Sequence, residues 1–196
     1  MFIVNKNTFF IAFIVFFFNC DGKSQVELFR EYEFRRSEHL VSEEIIFSPF
    51  SIKIPKGFNK FNKKNFDILK NQVENDPGSY FSKELIHGFL DSLNTAFIIS
   101  VIKDKHLLNN LGEDYREYLN KRNKEVVKNQ YSINNIKAVQ YQTKNNLNNI
   151  GFTNLKIFLI NGSSKNYLLD FIIPDKNFNN KLSSIESSLS TLKRKK

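Results

Sequence analysis

The order of apolar and polar positions divides the chain into a leader, a charged stretch and a body that mixes two periods. Phe9–Phe18 is an unbroken apolar run of ten residues. A helix needs about 20 apolar residues to cross the hydrocarbon core, so this run has the length of a signal-peptide core. Lys6 and the amino terminus supply its positive flank. Residues 1–19 are therefore read as a signal peptide. Asp21–Glu44 is rich in charge and poor in apolar residues. Residues 20–44 are expected to be an attachment point and tether, 45–193 a single folded domain, and 194–196 a basic tail.

Within the body, Ile45–Phe47 and Phe50–Ile54 read as short strands. In the second, Phe50, Ile52 and Ile54 alternate with polar residues, and Pro55-Lys56-Gly57 ends it with turn chemistry. Residues 58–92 are ambiguous. Phe66-Asp67-Ile68-Leu69 suits a strand or a short helix, and Glu74–Ser79 is a loop. Tyr80, Phe81, Leu85, Ile86, Phe89 and Leu90 recur at three and four residues, which predicts a helix. Thr95–Ile102 is a nearly continuous β-branched and aromatic run, read as a central strand.

Leu111–Lys128 has the helical period, with Leu111, Tyr115, Tyr118, Leu119, Arg122 and Val126 on one side and charge on the other. Asn129–Asn135 breaks that pattern. Ile136–Thr143, Phe152–Ile160 and Tyr167–Ile173 read as a meander, with a turn over Asn145–Asn149 and a hairpin at Asn161-Gly162. Pro174-Asp175 stops the last strand. Phe178, Leu182, Ile185, Leu189 and Leu192 then form the narrow stripe of an amphipathic helix. The fold class expected is α+β, an antiparallel sheet with helices packed on it.

This order of elements resembles the PsbP-like α/β/α sandwich, which also occurs in DcrB-like bacterial lipoproteins. The matching features are Phe50–Phe58, the strand and helix between Ala96 and Lys128, and the meander ending in Phe178–Leu192. The resemblance implies a compact binding or accessory domain, lipid-anchored or secreted, with no common enzymatic activity. A fold by itself supplies no function.

Cys20 is the one cysteine of the chain and follows the apolar run directly. That placement resembles a bacterial lipoprotein signal, which implies lipid attachment at Cys20 and a palmitate-bearing, membrane-anchored product of the cell envelope. The residues before it, Phe17-Phe18-Asn19, depart from the Leu and small residues of that pattern. Ordinary cleavage before Lys23 or Gln25 is the alternative, and it would give a freely secreted interaction protein. A lone cysteine makes no intramolecular disulfide.

Composition changes the picture little. Hydrophobic residues at 41% and charged residues at 25% are ordinary globular values. The net charge of +9 invites a nucleic-acid reading, but no basic face alternates with exposed aromatics. Much of the charge sits in Lys193, Arg194, Lys195 and Lys196, expected as a solvated tail able to make weak contact with an anionic surface. No nucleic-acid partner and no cofactor are expected. The partner is an unidentified envelope protein or a small ligand.

Chemistry is sparse. His39, His87 and His106 stand apart, without a second ligand at metal spacing. His87 is expected to be partly buried and hydrogen-bonded, and Asp104-Lys105-His106 to be a loop. No nucleophile elbow or phosphate-cradling loop occurs. Paired carboxylates remain the open enzymatic arrangement, an exported hydrolase. Glu43 and Glu44 would face opposite sides of a strand, and Glu113 and Glu117 lie one turn apart, with Lys121 placed to pair with them. No catalytic residue is assigned. Tyr115 and Tyr118 suit either a pocket between helix and sheet or, as such a stripe more often does, core packing with hydroxyls reaching the rim.

Overall fold

The computed structural model describes residues 29–195, apart from 77, 124, 148 and 162–164. The expected signal peptide, Cys20, Lys196 and the Gly162-Ser163 part of the hairpin turn lie outside the described residues. Strands β1 (Val41–Phe47) and β2 (Phe50–Pro55) form a hairpin, and β10 (Lys193–Arg194) pairs with β2. The larger sheet comprises β3 (Asn59–Lys60), β4 (Lys83–Leu90), β5 (Ala96–Ile102), β6 (Glu125–Ile133), β7 (Ile136–Leu147), β8 (Ile150–Ile160) and β9 (Asn166–Pro174). It is antiparallel, in the order β3-β4-β5-β9-β8-β7-β6. The helices are α1 (Lys63–Glu74), α2 (Leu107–Asn110), α3 (Glu113–Asn120) and α4 (Phe178–Leu189).

Each strand of the large sheet sends alternate side chains to opposite faces, and each face has its own core. On one face, Phe97, Ile99, Leu155, Ile157, Leu169 and Phe171 meet Phe50, Ile52 and Ile54 of β2 and Ile185 and Leu189 of α4. Phe97 and Phe171 stack at 4.3 Å with rings nearly parallel. On the other face, Ile102, Val139, Tyr141, Phe158 and Leu168 meet Leu107 and Leu111, and Tyr115 and Leu119 of α3. Burying an aliphatic or aromatic side chain contributes about 1.5–3 kcal/mol, so the two faces hold the sheet between their layers. The result is the α+β class expected, an antiparallel sheet with helices packed on it.

Four local expectations are corrected. Tyr80–Leu90 is not a helix; Lys83–Leu90 is β4, paired with β5. The register slips by one residue between Leu85 and His87. Such a bulge inserts a residue into the alternation, so the apolar spacing lengthens from two and imitates a helix. Gly88 was the contrary signal: a Cβ there would meet Phe61 Cδ2 at 2.6 Å, and close approach is a usual reason for glycine within a strand.

The helix expected over Leu111–Lys128 ends at Asn120, where Asn123 Nδ2 donates to the Leu119 carbonyl at 2.7 Å. Val126, assigned to that helix, belongs to β6. Asn129–Asn135 is likewise no break, because β6 runs to Ile133. Asn134 and Asn135, at φ 48° and 63°, then turn the chain into β7. Both residues take the left-handed region that a two-residue hairpin requires. The turn expected over Asn145–Asn149 does not begin at Asn145, since β7 continues to Leu147, which pairs with Ile150.

The ends differ as well. The strand expected to open the domain at Ile45 begins at Val41. The stretch read as tether is docked from Phe29 onward: Tyr32 N donates to Ser132 O at 2.9 Å, and Ser132 N to Arg30 O at 2.8 Å. The basic tail is not simply solvated. Lys193 and Arg194 form β10, and Lys193 and Lys195 both reach Glu44, at 3.3 and 3.0 Å.

Candidate functional site

Two clefts open on opposite faces of the large sheet. The first, about 390 Å³, lies beside α4. Its floor is Tyr131, Gln140, Gln142 and Leu155, its wall is Phe178, Leu182 and Ile185, and its lip is the docked segment Arg30–Phe34. The polar floor has a simple origin. β7 places Ala138, Gln140 and Gln142 on this face in succession, and α4 with the small sheet covers the apolar end. Tyr32, Phe34 and Tyr131 gather at 4.5–5.7 Å between ring centres. Tyr131 Oη donates to Gln140 Oε1 at 2.6 Å, which leaves the Gln140 amide nitrogen for a ligand. Burial pushes the Tyr131 phenol well above the ordinary tyrosine range, so it stays a neutral donor. Glu31 and Glu186 stand at the same opening.

The second cleft, about 220 Å³, lies between α3 and the other face. Both readings of the tyrosines hold here: Tyr115 and Tyr118 line the cleft, and Tyr115 is also part of the core of this face. Tyr80 lies 5.0 Å from Tyr115 and 5.2 Å from Tyr118, while Tyr115 and Tyr118 stack at 5.8 Å. Burial raises the Tyr115 phenol far above its ordinary value, and the Asp170 carboxylate adds to that. Arg122 lies over the Tyr118 ring at 4.3 Å and donates to the Tyr118 hydroxyl at 2.6 Å and to the Gly78 carbonyl.

Lys83 and Lys156, which also line this cleft, were not singled out from the sequence. Lys156 of β8 and Asp170 of β9 are register partners, and Nζ lies 2.5 Å from Oδ2. Thr143 faces Asn154 in the next pair along. Thr143 Oγ1, Asn154 Oδ1 and Asp170 Oδ1 are buried without a hydrogen-bond partner among the described residues. Lys83 enters from β4, half-buried. Burial pushes its pKa below the ordinary lysine value, the Lys156 charge adds to that, and Asp170 and Asp76 oppose it.

The remaining candidates are scattered. Cys20 lies outside the described residues. His87 is half-buried, as expected, but on a strand; burial lowers its pKa and a hydrogen bond with the Ile46 backbone opposes the shift. His39 shares a 3.1 Å hydrogen bond with Ser37. Asp104 accepts the His106 backbone N–H at 2.8 Å and Asn110 Nδ2 at 2.6 Å, so that loop is spent on starting α2. Glu117 pairs with Lys121 at 2.8 Å, as the helical spacing predicts, and Glu113 with Arg116 at 3.8 Å. Of the tail, Arg194 lies over the Phe50 ring at 5.2 Å. Among the described residues, no three His, Cys, Asp or Glu side chains converge on a metal position, and no helix is long and apolar enough to cross a membrane.

No protein-family model matches the chain, and no curated protein matches it. Solved structures do. LpqN of Mycobacterium tuberculosis, described as involved in cell envelope biogenesis, aligns over 75% of this chain and 83% of its own, with 8% identity and a TM-score of 0.52. The cyanobacterial PsbP protein CyanoP of Synechocystis sp. PCC 6803 aligns over 79% and 93%, with 12% identity and a TM-score of 0.51. A Bacteroides thetaiotaomicron protein aligns over 76% of this chain at 15% identity and a TM-score of 0.44, and the chain spans 46% of its length. At these identities the likeness defines the fold, which is PsbP-like.

Proposed function

We propose that the chain is an exported, non-enzymatic binding or accessory protein of the bacterial cell envelope, anchored to the membrane by lipid on Cys20. The cleft beside α4 carries the binding half of this reading. It is large enough for a ligand or a partner's side chains and pairs an apolar wall with a few fixed amides and a neutral phenol. The apolar run before Cys20 supports the export half. The fold shared with an envelope-biogenesis protein and with CyanoP agrees with an accessory role. Lys193–Lys196 add a weak contact with an anionic surface at most, since Glu44 already engages Lys193 and Lys195.

Metabolic labelling with a palmitate analogue tests the anchor. Label is expected on the wild type and absent from Cys20→Ala; equal labelling of both ends the lipid claim and leaves the freely secreted form. One observation favours a second reading: Glu31 and Glu186 line one opening, as the carboxylates of a hydrolase would. Turnover of aryl glycosides that is lost in both Glu31→Gln and Glu186→Gln would establish that activity instead.

A further inference from the structure

We propose that the tyrosine-walled cleft between α3 and the sheet binds a small molecule that carries one oxyanion group, a carboxylate or a phosphate, with Lys83 as its counter-charge. The charge balance of the cleft leads there. Asp170 is taken by Lys156. Arg122 directs donors to the neutral Gly78 carbonyl and Tyr118 hydroxyl, so its charge adds to the positive side of the cleft. Asp76 Oδ1 accepts the Gly78 backbone N–H at 2.9 Å; its carboxylate and that of Asp170 offset the Lys83 charge in part, but neither makes a salt bridge with it. Lys83 is left half-buried, lining the cleft and without a salt bridge among the described residues.

An ammonium drawn partly out of water and unpaired is costly, and the lowered pKa of Lys83 expresses that cost. An oxyanion at Lys83 Nζ would relieve it with a charge-assisted hydrogen bond, the way lysine commonly holds phosphate. The cleft, about 220 Å³, limits the ligand to a small one. The exposed ring of Tyr80 beside Tyr118 offers an aromatic wall for its ring or aliphatic body. This face is opposite the cleft beside α4, so the inference does not depend on the function proposed above.

Calorimetric titration of the full chain in detergent, with phenylacetate, phenyl phosphate and uncharged benzyl alcohol, tests it at pH 7. One anion or both should bind saturably, and benzyl alcohol at least about tenfold more weakly. The tighter anion tells a carboxylate ligand from a phosphate ligand. Lys83→Met should weaken binding at least about tenfold, Lys83→Arg should retain it, and Lys193→Met on the small sheet should leave it unchanged. Lys83→Gln replaces Lys83→Met if the latter melts early. Failure of both anions to bind, equal affinity for benzyl alcohol, or undiminished binding by a folded Lys83→Met or Lys83→Gln protein overturns the proposal.

Discussion

Replacing Asp170 with Asn strands the Lys156 ammonium against the sheet. The pair is close, 2.5 Å, and its side chains are 18% and 12% exposed, so water reaches it only at the edge. Breaking a fully buried pair costs about 3–5 kcal/mol. Residual exposure reduces that to about 2–4 kcal/mol. Asp170 Oδ1 accepts no hydrogen bond among the described residues, so losing that acceptor adds nothing. Against a total stability of about 5–15 kcal/mol and a urea dependence of about 2 kcal/mol per molar, the midpoint should fall by about 1–2 M. The double variant Asp170→Asn/Lys156→Met removes the stranded cation and should recover most of the loss. Urea unfolding followed by circular dichroism at pH 7 measures both. A loss under about 1 kcal/mol, or a double variant no more stable than Asp170→Asn alone, would refute the reasoning.

Phe97 is fully buried and stacked on Phe171, so Phe97→Ala should cost about 3–5 kcal/mol, read from the same urea midpoints. Gly88→Ala drives a methyl against the Phe61 ring and should cost about 1–3 kcal/mol; adding Phe61→Ala should lessen the penalty of the glycine change. His87 has a folded pKa below its ordinary 6.5, so the unfolded chain takes up the proton first. Stability is then retained above about pH 6.5 and falls as pH drops from there toward the folded value. Urea midpoints between pH 7.5 and 5 should show a steeper decline for wild type than for His87→Gln. Glu44 is held at about 2, first by the neighbouring Ser51 hydroxyl and then by the Lys195 ammonium at 3.0 Å. Its contribution persists above pH 4.5 and is lost only as pH falls toward 2, so Glu44→Gln should flatten the decline of urea midpoints measured from pH 4.5 down to 2.

Strands buried on both faces and the hairpin meander were legible because their signals are local. Ala96–Ile102 is β-branched or aromatic at every position but Ala96 and Ser100, and Phe178–Leu189 keeps its stripe to the end. β4 was not, because its bulge stretches the alternation into a helical spacing. β6 was not either: as an edge strand over Glu125–Gln130 it has no buried face to write an apolar pattern. Of the clefts, Tyr115 and Tyr118 could be placed from one helix period. Lys156 and Asp170 could not be paired, since a two-residue turn at Asn161-Gly162 would set Lys156 opposite Tyr167, whereas the register sets it opposite Asp170. Lys83 could not be placed, because its approach depends on β4 being a strand. The cleft beside α4 was hidden for a similar reason, as its lip is made by residues that read as tether.

The export and anchoring of this chain are tested most directly by the intact mass of the protein recovered from the membrane fraction of bacterial cells expressing it in full. The predicted species begins at Cys20 and carries the added mass of lipid, and Cys20→Ala abolishes it. A protein that begins at Met1, or a soluble one that begins at Lys23 or Gln25 without lipid, would contradict the anchor.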